Sequence, residues 1–131
     1  MTVRISSRSI RSMRWLLHGD LTAAGEALKR HGQNVVAAAD AGLAHDSPPA
    51  DFLETARVKQ LEVITADAVL VDAAFGPGAL FWRTLVFLHV DAGEVEQDDA
   101  IDRLFARYKR LSPGRLYTVT NSRVKVRQLP K

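Results

Sequence analysis

Cysteine is absent from this 131-residue chain, which excludes disulfide bonds, thiolate zinc sites and cysteine nucleophiles. The chain also lacks an apolar run long enough to cross a bilayer, and no apolar signal core follows its first residues. We therefore expect a cytoplasmic protein with no membrane partner. The hydrophobic share of 47% and the charged share of 25% are typical of a globular protein, and the length is that of one ordinary domain.

The net charge is only +3, but its distribution along the chain is uneven. The acids concentrate between Asp91 and Asp102, whereas basic residues crowd both ends. Basic ends favour a polyanion such as RNA, because neutralised phosphates release counterions. The alternative is a solvated surface that only aids solubility. The residues that we predict to bind nucleic acid are Arg14, Arg123, Lys125 and Arg127.

Hydrophobic periodicity predicts alternating strands and helices. Short apolar runs predict strands at 13–17, 34–38, 61–65 and 83–90, and a closing hairpin of strands at 116–120 and 124–128. Helical periodicity predicts helices at 21–31, 48–59 and 96–111 and a short helical turn at 67–74. The first helix has Asp20 as a plausible N-cap and Gly32 as a plausible C-cap.

This element order predicts an α/β fold with three layers, in which helices cover both faces of a mostly parallel central sheet. The sheet is expected to end in a C-terminal β-hairpin. Residues 1–12 show no clear period and are predicted to form a basic N-terminal arm. Residues 13–131 are predicted to form a single domain.

Polar side chains follow two of the predicted strands at the point where each strand ends. Thr65 and Asp67 end one apolar run, and His18 and Asp20 follow the run that closes at Leu17. The carboxyl ends of parallel strands are where α/β proteins gather ligands and metals. If the two strand ends lie side by side and point the same way, these groups would form a metal site.

Several segments resemble, in order and spacing, the small bacterial PIN-like proteins, a branch of the PIN nuclease superfamily related to the Mut7 C-terminal type. The matching segments are MRWLLHGDLT (13–22), GQNVV (32–36), DAGL (40–43), FLETA (52–56), TADAVL (65–70), LYTV (116–119) and RVKVRQLP (123–130). The resemblance covers residues 13–130. It implies a PIN-like fold and, in intact members, a carboxylate cluster that holds magnesium or manganese for RNA hydrolysis.

The departures from the family pattern fall on that acidic cluster. His18 replaces the first family aspartate, Pro49 the acid that opens the second helix, and Val69 a further aspartate. Asp67 alone stands at an acidic position of the pattern. The candidate catalytic residues are Asp67 and Asp20, and the candidate ligands for Mg²⁺ or Mn²⁺ are Asp67, Asp20, His18 and Asp72.

Each candidate also has a structural interpretation. Asp67 is equally well explained as the N-cap of the turn that follows it, and Asp20 as the cap of the first helix. His18 would then be a hydrogen-bonded structural residue, and Asp72 a surface acid. Trp82 stays open between core and base stacking.

Three functions follow from these alternatives. The first is a PIN-like domain whose nuclease site has degenerated and which binds nucleic acid or protein. The second is an active divalent-metal-dependent ribonuclease, such as the toxin of a toxin–antitoxin pair. The third is a homodimer or partner-bound module in which the segment 76–82 supplies apolar contact.

Overall fold

Residues 13–91 and 93–130 are described by a computed structural model, and the predicted arm at 1–12 lies outside these described residues. Within these ranges the strands are β1 (Arg14–His18), β2 (Asn34–Val36), β3 (Glu62–Thr65), β4 (Leu85–Leu88), β5 (Arg115–Val119) and β6 (Val124–Gln128). The helices there are α1 (Thr22–Arg30), α2 (Pro49–Lys59), α3 (Ala68–Ala74) and α4 (Glu94–Arg107), with a 3-10 turn at Ala39–Ala41.

The strands form one sheet in the order β2-β1-β3-β4-β5-β6. The strands from β2 to β5 in this order are parallel to one another. The last strand, β6, pairs antiparallel with β5. The prediction of an α/β fold with a mostly parallel sheet and a C-terminal hairpin is confirmed. Among the described residues, no helix is both long and apolar enough to cross a membrane.

The central strands are buried because successive residues contribute to two different hydrophobic clusters. Ile64 belongs to a cluster that includes residues of α1 and α4, whereas its neighbour Val63 belongs to a cluster that includes residues of α2 and α3. Successive side chains of a strand project to opposite faces of a sheet. This explains why all four residues of β3 are buried, rather than alternate residues.

One of the two polar residues of β3 is Glu62, which is 1% exposed at the start of the strand. One carboxylate oxygen accepts from the Arg83 guanidinium at 2.6 Å, and the other accepts from the backbone N–H of Thr84 at 3.0 Å. A buried carboxylate is stable when it is paired and hydrogen-bonded in this way. The pair joins the beginning of β3 to the segment that enters β4, at the amino edge of the sheet.

The sequence prediction for α1 is wrong at the N-terminal end of the helix and correct at its C-terminal end. Asp20 is not the N-cap: the cap residue is Leu21, and the N–H of Ala24 donates 3.0 Å to the side-chain oxygen of Gln97 on α4. The cap therefore comes from a residue distant in sequence. At the other end, Gly32 adopts φ +80°, and the bonds from Gly32 and Gln33 to the last turn form a Schellman motif.

The hairpin of β5 and β6 begins at a crowded glycine. Gly114 has φ +80°, and a Cβ there would lie 2.5 Å from two ring atoms of Trp82. Its N–H donates to the carbonyl of Arg83, and its own carbonyl accepts from Leu129. Trp82 thus packs against the base of the hairpin, although it is 36% exposed.

Candidate functional site

The carboxyl ends of β1 and β3 lie next to each other, as the sequence predicted. The two strands are parallel, and His18 is paired with Thr65 in the register of the sheet. The chain runs from β1 outward to β2 and then returns across β1 to β3. The gap between β1 and β3 is therefore the point where the strand order reverses, which is where open α/β sheets form their binding crevice.

A hydrogen-bonded chain connects the polar groups at this point. Nδ1 of His18 lies 2.7 Å from the Thr65 hydroxyl, which also accepts from the backbone N–H of Asp67 at 3.0 Å. The hydroxyl either donates its proton to Nδ1 or accepts one from it, depending on which tautomer His18 adopts. Thr65 itself is 0% exposed, so its hydroxyl is available only to these two neighbours.

The environment of His18 favours its neutral form. Burial lowers the pKa of His18 below the ordinary value of 6.5, and the nearby negative charge of Asp67 opposes that shift without cancelling it. The imidazole ring also packs against Phe52 in a T-shaped arrangement, with 4.5 Å between the ring centroids. His18 is therefore held by a hydroxyl on one side and an aromatic ring on another.

Asp67 caps α3. Its backbone is extended, and its carboxylate accepts from the N–H of Val69 at 2.8 Å. This contact satisfies one of the N–H groups that the first turn of a helix leaves unpaired. The capping interpretation of Asp67 is confirmed. Its role as a metal ligand stays a prediction.

The other two predicted ligands do not add to this pair. Asp20 is exposed and accepts from the hydroxyl of Thr22 at 3.4 Å, and Asp72 lies exposed on α3. Across residues 13–91 and 93–130, no group of three or more acidic or histidine side chains is arranged to hold a metal ion. Magnesium is usually bound through one or two carboxylates with water and substrate oxygens, and imidazole is a poor ligand for it. The donor set at this edge does not fit a magnesium site.

The predicted nucleic-acid-binding residues fall into two separate places. The guanidinium of Arg14 donates 2.8 Å to the carbonyl of Lys59, at the end of α2. Arg123, Lys125 and Arg127 lie exposed on the hairpin at the opposite side of the sheet. Four strand spacings separate β1 from β6, or about 19 Å. Arg14 therefore does not share a surface with the other three.

The uneven charge that the sequence analysis noted changes sign within α4. Asp98 and Asp102 of α4 form ion pairs with Arg30 of α1, the pair with Asp102 at 3.8 Å. From 103 to 131 the chain contains no acid and nine Lys or Arg residues. Among the described residues, every ion pair involves a cation that precedes this stretch.

A shallow groove lies on another part of the surface. It has a volume of about 380 Å³ and runs between α2 and the loop that follows α3, with Glu54, Arg57 and Leu80 among its lining residues. Leu80 is 69% exposed. This groove includes part of the 76–82 segment that the sequence suggested as an apolar contact surface.

Comparisons with known proteins add nothing to these observations: no protein-family model, no curated protein and no solved structure matches the chain. The resemblance to PIN-like proteins therefore stays an expectation based on motif order and spacing. Any functional conclusion must come from the contacts and charges of this chain.

Proposed function

We propose that the protein is a PIN-like domain that binds nucleic acid and whose metal-dependent nuclease site has degenerated. The proposed fold has three layers, with helices on both faces of the sheet. Its support is the division of β3 residues such as Val63 and Ile64 between two clusters, one including α2 and α3 and the other including α1 and α4.

The loss of the nuclease site is supported by the contacts at the adjacent carboxyl ends of β1 and β3, where the strand order reverses. We call this place the β1–β3 crossover. His18 stands where the family pattern has its first aspartate, and its ring nitrogen is bonded to Thr65. The remaining acid, Asp67, caps α3. A nuclease of this type needs acids that are free to hold a divalent cation, because the cation activates water and stabilises the transition state. A bonded imidazole and a capping carboxylate supply little of that chemistry.

Binding of nucleic acid is supported by the acid-free stretch from 103 to 131, and this single observation carries the proposal. Its cations are exposed at Arg107, Lys109, Arg110 and Arg115 as well as on β6. Unpaired cations attract phosphates and release the counterions bound there, whereas cations already paired with carboxylates contribute much less. The modest net charge of +3 thus conceals a strongly basic region.

A binding assay that also monitors the RNA tests the proposal. Fluorescently labelled single-stranded RNA is titrated with the purified protein, once in EDTA and once in Mn²⁺, and each sample is then run on a denaturing gel. We expect similar binding in both buffers, weaker binding at higher salt and intact RNA. Absence of binding would refute the proposal. Cleavage in Mn²⁺ that disappears in D67A would instead establish the alternative, an active metal-dependent ribonuclease.

A further inference from the structure

The edge strand β6 carries a row of cations on one side. Val124 and Val126 pack against the hydrophobic cluster that includes α1 and α4. Since the side chains of a strand alternate between faces, Lys125 and Arg127 project to the opposite face, and Arg123 precedes them with the same periodicity. The three side chains are exposed and extend over about 14 Å of backbone.

The row is free of carboxylates. Among the described residues, Arg123, Lys125 and Arg127 form no ion pair, and their neighbours across the ladder are neutral: Lys125 faces Thr118, and Arg127 faces Leu116. A charge row on an edge strand also discourages a second sheet from adding to it. That function requires only charge, and it does not explain how Arg127 is held.

Arg127 is held in a defined orientation by an aromatic ring. Its guanidinium carbon lies 4.2 Å from the centroid of the Phe75 ring, just after α3. Contact with the ring restricts the side chain and leaves the guanidinium N–H groups free to donate to a phosphate. A cation that is already ordered loses less conformational entropy when it binds a ligand. The row thus contains two extended cations and one preorganised guanidinium.

We infer that the β6 row of Arg123, Lys125 and Arg127 is the surface that binds single-stranded RNA, with successive phosphates along the strand. This inference rests on the proposed function and gives that function a location. Alternate residues of a strand project about 7 Å apart, which is close to the spacing of phosphates in an extended single strand. A duplex offers its phosphates along two curved lines, which a straight row on one edge strand matches less well.

The charge and spacing of this row disfavour other binding partners of β6. A second copy of β6 would bring like charges together, which opposes pairing of the two edges. An acidic protein would satisfy the charge but would make no use of the regular spacing. We therefore include both an RNA duplex and poly-glutamate as competitors in the test.

The test compares two triple variants that remove the same charge. R123Q/K125Q/R127Q removes the row, and the control R107Q/K109Q/R110Q removes three exposed cations of the same acid-free stretch that lie outside the row. Labelled single-stranded RNA is titrated with each variant and with wild type at several salt concentrations. Circular dichroism and thermal unfolding check that each variant is folded.

We expect the row variant to lose most of the salt-dependent affinity. Each phosphate contact to a single strand contributes about 0.7 to the slope of log affinity against log salt, so three contacts contribute about 2. Between about 50 and about 200 mM salt, the wild-type affinity should therefore fall about 20-fold more than that of the row variant. The control variant should retain the wild-type slope to within about 0.7, because its cations lie outside the row.

If the row variant does not fold, R123Q/K125Q leaves the contact between Arg127 and Phe75 intact and should remove about 1.4 of the slope. Equal losses in the row and control variants would overturn the inference in favour of diffuse electrostatics. Wild-type slopes in both would place the RNA elsewhere and leave the proposed function standing. Equal competition by a duplex or by poly-glutamate would refute the single-stranded RNA partner, and no RNA binding by wild type would refute the proposed function itself.

Discussion

The β1–β3 crossover and the β5–β6 hairpin both present polar groups at the surface, but the groups differ in what they contact. At the crossover, His18 and Asp67 are bonded to neighbouring groups of the protein itself. On the hairpin, Arg123 and Lys125 have no carboxylate partner within the described residues. A polar group whose bonds are made within the fold stabilises the fold, whereas an unpaired exposed cation remains available to an external anion.

Position in the fold and the contacts that a group makes give different indications at the crossover. The crossover lies where α/β proteins form their binding crevice, and it would be the first place to look for a site. Its polar groups nevertheless bond within the protein: His18 and the Asp67 N–H to the Thr65 hydroxyl, and the Asp67 carboxylate to the N–H of Val69. The hairpin, at the far edge of the sheet, holds the unpaired charge.

The largest expected effect concerns how tightly each region is packed. Gly19 and Gly114 both have positive φ, but a Cβ at Gly19 meets nothing within 4 Å, whereas one at Gly114 would overlap Trp82. We expect G114A to lower the free energy of unfolding by about 3 kcal/mol, from backbone strain plus overpacking, and G19A by about 1 kcal/mol from strain alone. Urea unfolding measures both. Equal losses would show that Trp82 does not pack on the base of the hairpin.

A smaller effect concerns the buried hydroxyl at the crossover. T65V removes the acceptor for the Asp67 N–H and the hydrogen-bond partner of His18 Nδ1, so we expect a loss of about 2 kcal/mol. T118V on β5 is the matched control, because the Thr118 side chain makes no hydrogen bond among the described residues, and its cost should stay within about 0.5 kcal/mol. Chemical unfolding of the two variants under identical conditions decides the matter. A T65V protein as stable as T118V would mean that the chain through Thr65 contributes nothing.

The third prediction separates the capping role of Asp67 from a charge-dependent role. D67A should cost about 1 kcal/mol, because the N–H of Val69 loses its acceptor. D67N should cost only a few tenths of a kcal/mol, because asparagine caps a helix about as well as aspartate. Thermal unfolding in EDTA distinguishes the two. If D67N were as destabilised as D67A, the negative charge itself, rather than the cap, would be the important feature.

The smallest effect is the pH dependence that His18 contributes. Burial lowers the pKa of His18 in the folded state, so as pH falls below 6.5 the unfolded chain takes up the proton first. Stability that is fully present above pH 6.5 is therefore lost progressively as pH falls toward the folded-state pKa. We expect the urea midpoint of wild type to decrease more than that of H18N between about pH 7.5 and about pH 5. Parallel decreases in the two proteins would exclude His18 as the source.

Much of the fold could be predicted from the sequence because it depends on local patterns. The apolar runs that became β1 and β3 are short and uninterrupted, and Gly32 supplies the left-handed conformation that ends α1. The prediction of Asp20 as the cap of α1 was wrong for a physical reason. The N–H of Ala24 is satisfied by Gln97, which lies 73 residues further along the chain, and no local pattern contains that contact.

The candidate site could be predicted only in part. The parallel strand ends at His18 and Thr65 follow from the alternation of strands and helices, and they are adjacent as expected. Whether His18 would bond to a hydroxyl or remain open depends on side-chain geometry, which periodicity does not specify. The contact of Arg127 with Phe75 could not be predicted from the sequence either, because it depends on how α3 is positioned relative to the hairpin.

The affinity of D67N for single-stranded RNA in Mn²⁺, measured beside wild type, tests the contrast between the two regions most directly. We predict the same affinity for both proteins and intact RNA after the titration, because Asp67 acts within the fold and the phosphates bind on β6. Weaker binding by D67N, or cleavage by wild type that D67N lacks, would contradict this prediction. Such a result would indicate that the groups at the crossover form a functional metal site.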